Sequence, residues 1–180
     1  MSRRFDQEAR KIADRHYSRQ KVGTPDFVGN GKPLVLLAPH DGPATALWVT
    51  LWQPYVRHAW TDCWQCTLFR NEGAGLSSEL ITEAVAATCA IWGDPPKNGF
   101  LTFIDQDKTK PKRHPGYCYR MAGWIEDGKT KNGLIALRLP VGAFPGPVMP
   151  YGGQLSMMPE PGGWSNARSK NTHANVEVKP

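Results

Sequence analysis

The chain has 180 residues, enough for one domain with a real core, or one domain plus a tail. Lys and Arg number 22 against 16 Asp and Glu, a net charge of +6 that favours an acidic partner, nucleic acid first. No signal peptide and no membrane-length apolar run appears, so no membrane partner is expected and the cytoplasm is the expected compartment.

The first element is a short helix within residues 3–19. Phe5, Ala9, Ile12 and Ala13 fall on one stripe and the exposed face is basic. It ends in His16-Tyr17-Ser18, either packing plus a surface hydrogen bond or a proton-transfer pair. Leu34 to Leu37 reads as a strand, residues 39–43 as a tight turn, and Ala44 to Trp52 as the second strand of a hairpin. Trp48 and Trp52 share a face there, as core or as an aromatic shelf. Pro54 to Thr61, with Arg57 and His58, is a link.

The chain's central block runs from Trp64 to Trp92. An apolar strand, Cys63 to Phe69, leads through Arg70-Asn71-Glu72-Gly73-Ala74-Gly75 into a helix opened by Ser77-Ser78, with apolar residues at helical spacing up to Trp92. A helix N-terminus after a glycine turn presents unpaired N–H groups and partial positive charge, which suits a phosphate. Arg70-x-x-Gly73-x-Gly75 resembles the pyrophosphate-binding turn of the GCN5-related N-acetyltransferases. The plain alternative is a glycine-rich turn with no ligand. Cys63 and Cys66 have C-x-x-C spacing but no second pair. Three apart in a strand they face opposite sides, so free thiols are expected rather than zinc.

Gly93-Asp94-Pro95-Pro96 stops the helix. Gly99 to Ile104 is the next strand, and Asp105 just past its end is placed to face a site. The following run is basic: Lys108, Lys110, Lys112 and Arg113 form a solvated loop or a grip on a phosphate backbone. Pro115 to Ala122 is a short helix ending at Gly123. Trp124-Ile125 begins a strand turned by Asp127-Gly128, and Gly133 to Leu139 is the last strand. Residues 1–140 make the domain. Residues 141–180 are a Pro/Gly-rich arm, irregular and then disordered. Its Met149, Tyr151, Leu155, Met157 and Trp164 are available to pack on the domain or on a second copy, as in a homodimer.

The fold class is α/β: a mixed, mostly antiparallel sheet flanked by helices. The strands before Arg70 and at residues 99–104 are expected to be parallel neighbours, splayed at one end, with the Ser77 to Trp92 helix crossing between them.

HYS near the N-terminus, then FRNEG and SSELI, then TFID, then HPGYCYRMAGW and DGKTKNGL, taken in that order, resemble the phage Mom DNA-modification family over roughly residues 14–139. The family's fold is similar to the GCN5-related (GNAT) acetyltransferases. The resemblance implies a transferase that converts adenine in double-stranded DNA to N6-(carbamoylmethyl)adenine. That modification shields bacteriophage DNA from host restriction, and the compartment is then the host cytoplasm. It carries His16 and Tyr17 over as residues needed for activity, with Asp105 and Tyr119 behind them. It places Arg70, Asn71, Gly73, Gly75, Ser77 and Ser78 around an acyl donor such as acetyl-CoA. The family's link to iron leaves no ligand set here, and no metal ligand is assigned. On chemical grounds His16 takes the proton from the adenine amine, with Tyr17 or Asp105 orienting it. The target base flips out against an aromatic wall drawn from Trp48, Trp52, Tyr117 or Trp124. Two other readings stand beside this one. One is a coenzyme-A-dependent N-acetyltransferase for a small amine, protein or RNA. The other is a binding module without catalysis.

Overall fold

The computed structural model describes residues 1–39, 42–55, 59–109 and 114–150. Six strands form one sheet in the order β1-β2-β3-β4-β6-β5. They are β1 (Lys32–Ala38), β2 (Ala46–Trp52), β3 (Trp64–Asn71), β4 (Phe100–Ile104), β5 (Ile125–Lys129) and β6 (Ile135–Leu139). The β3/β4 pair is parallel and the other four pairs are antiparallel, as expected. The crossover between β3 and β4 carries α2 (Ser77–Trp92).

Helices cover both faces. On one, Ile81, Ala84 and Val85 of α2 and Tyr119 of α3 (Tyr117–Met121) pack with Trp48, Trp64, Phe100 and Leu137. On the other, Ala9, Ile12 and Ala13 of α1 (Gln7–Asp14) pack on Val35, Leu47, Val49 and Leu68. Trp48 and Trp52 do share a face, the α2 face. All four cysteines are free thiols. Among the described residues, no helix is long and apolar enough to cross a membrane.

Two local expectations are corrected. Phe5 is not on the buried stripe. The Asp6 carboxylate accepts the Ala9 N–H at 2.8 Å, so the helix starts after Phe5 and leaves its ring exposed. Asp127-Gly128 does not turn the chain but lies inside β5. A register irregularity between Glu126 and Lys129 absorbs Gly128, at φ +94°, and the turn falls at residues 130–133. At the start of the arm, Phe144 packs on the domain, its ring 5.7 Å from that of Phe100 and 6.3 Å from Trp64. Arg57, His58, the turn at His40-Asp41, and the arm's Tyr151, Leu155, Met157 and Trp164 lie outside the described residues.

The decisive feature is where β3 and β4 separate. Their pairing covers only Trp64–Cys66 against Phe100–Thr102. At that point β3 carries a bulge. Cys66 pairs with Thr50 and Leu68 with Val49, so Thr67 is the extra residue. A bulge bends its strand and sharpens the twist. Beyond it β3 follows β2, while β4 continues along β6. A cleft opens between the two parallel strands.

Candidate active site in the cleft between the parallel strands

A cavity of about 1070 Å³ fills this cleft. His16, Tyr17, Asp105 and Tyr119 line it, together with Gly75, Ser77 and Ser78 at the start of α2. Residues from four distant segments therefore meet on one wall system. Lys108 reaches the same cavity, 3.5 Å from Asp105 Oδ2. Lys110, Lys112 and Arg113 lie outside the described residues.

His16 and Tyr17 enter the cleft from the end of α1. The His16 N–H still donates to the Ala13 carbonyl at 2.9 Å, so the pair leaves the helix in a fixed direction. Their ring centroids lie 4.3 Å apart with the planes tilted by 32°. The His16 Nδ1 receives the Ser18 backbone N–H at 3.2 Å and lies 2.7 Å from Ser18 Oγ. Its other ring N–H bonds to the Phe69 backbone, on the β3 side of the cleft. Burial, then the Arg70 cation, push the His16 pKa down to about 4 against that bond, so the ring is neutral at pH 7. Both nitrogens are engaged. His16 lines the cavity, but its ring is a poor proton acceptor.

Tyr17 reaches the β4 side. Partial burial of its ring raises its pKa; the Asp105 backbone N–H donates to its oxygen and opposes the shift. The two side chains thus meet backbone groups that the parted strands leave without ladder partners. The Asp105 carboxylate caps the turn beyond β4, with Oδ1 accepting the Asp107 N–H at 3.1 Å. On the cavity floor the Tyr119 hydroxyl is buried, 3.3 Å from Cys66 Sγ, and burial holds both groups protonated.

The glycine turn is organised from within. Asn71 Oδ1 accepts the N–H groups of Gly73 and Ala74 at 3.0 and 2.9 Å. Its Nδ2 donates to the Gly75 carbonyl and to Ser77 Oγ. Two N–H groups expected to face a phosphate are therefore taken. The first turn of α2 has no side-chain cap, which leaves donors at Ser77 and Ser78 beside the cavity. Arg70 points elsewhere. Its Nε donates to Glu72 at 2.5 Å, and another guanidinium N–H donates to the Arg15 carbonyl at 2.7 Å. Arg15 grips the same Glu72 carboxylate, at 2.8 Å through Nε. Arg70 thus sits at the C-terminal end of α1, where a cation is favourable, and Glu72 ties both arginines together. Arg70, Asn71 and Gly73 do not line the cavity; they hold its frame. Arg15, Ser18 and Glu72 were not singled out in the sequence. Ser18 adjoins His16, whereas nothing local marks Arg15 and Glu72 as partners 57 residues apart.

Of the aromatic candidates, Trp48 and Trp124 are core residues, and Trp52 packs against Trp92 away from the cavity. Tyr117 lines the cavity and is exposed. Among the described residues no group of three His, Cys, Asp or Glu side chains is placed to hold a metal ion. The described residues therefore assemble no iron site.

Fold and site define an α/β protein with a six-stranded mixed sheet, helices on both faces and a cavity at the parting of its parallel strands. Comparison with family models, curated proteins and solved structures finds no match to the chain.

Proposed function

We propose that the protein is a DNA-modifying transferase of the Mom type, with a GNAT-like fold, acting on the N6 amine of an adenine extruded from duplex DNA. In a phage it would shield DNA from host restriction. The observation that carries the reading is the meeting of His16-Tyr17, Ser77-Ser78, Asp105 and Tyr119 on one cavity between parted parallel strands. An excess of cationic side chains suits DNA.

The chemistry follows from the groups present. Adenine N6 is a weak nucleophile and must lose a proton as its new N–C bond forms. The leaving group departs from the donor carbon with its electron pair. Asp105 is the acceptor for the N6 proton, since both His16 nitrogens are engaged. Tyr17 keeps its proton at neutral pH and donates a hydrogen bond to the leaving group. His16 supports Tyr17 through the tilted contact of their rings. The uncapped start of α2 favours a donor that carries phosphate, which keeps an acetyl-CoA-dependent N-acetyltransferase as the second reading.

Nucleoside mass spectrometry of plasmid DNA from cells making the protein tests the proposal. A mass-shifted deoxyadenosine is expected, absent with Asp105→Asn. Unmodified adenine in cells making folded wild-type protein would sink it. Calorimetry with acetyl-CoA separates the second reading.

A further inference from the structure

We propose that Tyr117 and Met121 form an apolar ledge on α3 that receives the flat face of an unpaired adenine. The inference deepens the DNA-base reading and rests on it. Positions four apart lie on one face of a helix. Here both side chains are exposed, at 49% and 60%, and both line the cavity, while Tyr119 between them turns into the core. Among the described residues, only Tyr17, Leu76, Tyr117 and Met121 are large apolar side chains that are both exposed and on this cavity. Apolar surface left exposed on a cavity wall is available to the flat face of a ligand. Lys108 and His114 line the same cavity, so cationic and imidazole groups accompany the ledge, a combination that matches a base with its phosphates.

The test uses the full chain and two short DNA duplexes, one fully paired and one with a single A·A mismatch, whose adenine leaves the stack at lower cost. The wild type should bind the mismatched duplex more tightly. Tyr117→Ala should weaken that binding about five- to a hundredfold, the range of one lost base stack, and Tyr117→Phe should restore it. Affinity for the paired duplex should stay within about twofold. Tyr117→Ala binding both duplexes as the wild type does would overturn the ledge and leave the DNA reading standing. A wild type that binds neither duplex at low salt would overturn both. If circular dichroism shows Tyr117→Ala unfolded, Met121→Ala decides. A loss confined to the mismatched duplex supports the ledge, and an unchanged affinity overturns it.

Discussion

Glu72→Gln tests the frame of the site. Glu72 lies between the guanidinium groups of Arg15 and Arg70, which hold its pKa at about 2 against an ordinary 4.5. A shift of that size corresponds to at most about 3.4 kcal/mol of pairing. The Glu72 side chain is 23% exposed and Arg15 is 50% exposed, so water screens the pair, and about 1–2 kcal/mol should survive. Glutamine keeps the shape and one acceptor but leaves two cations facing each other. For a chain of this length the loss lowers Tm by about 2–8 °C. Thermal unfolding followed by circular dichroism reads it, and about 0.5 M salt should narrow the gap from the wild type. The sign with pH is fixed by the lowered pKa. The contribution is complete above about 4.5 and fades as pH falls toward 2. A variant melting within about 1 °C of the wild type at low salt and neutral pH would refute the argument that the triad pins α1 to β3.

His16 makes a second pH prediction. Its folded pKa of about 4 lies below the ordinary 6.5, so the unfolded chain takes up the proton first on acidification. Stability should be complete above about 6.5 and fall by about 1–3 kcal/mol toward pH 4, and denaturant titrations of His16→Asn should lack that slope. Asp105→Asn should abolish adenine modification in plasmid DNA while leaving Tm within about 2 °C, because among the described residues its carboxylate bonds a local turn and Lys108. Tyr17→Phe should cost about 1 kcal/mol through the orphaned Asp105 N–H, read in denaturant, and should lower turnover more than substrate affinity. Gly99→Ala should destabilise by about 2–4 kcal/mol or prevent folding, measured by denaturant midpoint. A Cβ there, at φ +72°, would sit 2.2 Å from the Leu139 carbonyl oxygen in the adjoining strand.

The strongest sequence signals were those with a local physical cause. α2 was readable end to end because its apolar spacing is helical and Gly93, at φ +81°, stops it against two prolines. The parallel pairing of β3 and β4 followed from a helix of that length lying between two apolar strands. Phe5 misled because periodicity alone does not reveal that Asp6 caps the helix. Gly128 misled because Asp-Gly marks turns, yet here the strand carries it through with a slip in register, held by Arg138 on Asp127 at 2.9 Å.

Arg70 shows what local reading cannot supply. Counting by twos from Cys66 puts Leu68 and Arg70 on the face of Cys66, toward α2 and the glycine turn. The bulge at Thr67 shifts the count by one. Leu68 emerges on the α1 face, and Phe69 joins Trp48 and Tyr119 on the other. Arg70 then meets the end of α1 instead of a phosphate. A bulge depends on how β3 pairs with β2, a contact between distant segments, so the arginine's direction is set by tertiary structure. The same bulge turns β3 away from β4 and opens the cleft that His16 and Tyr17 enter. One extra residue in a strand thus creates the cavity and aims Arg70 at the helix that delivers His16 and Tyr17 to it. The R-x-x-G-x-G spacing therefore serves the site through the frame, while Gly75, Leu76, Ser77 and Ser78 at the uncapped start of α2 face the cavity.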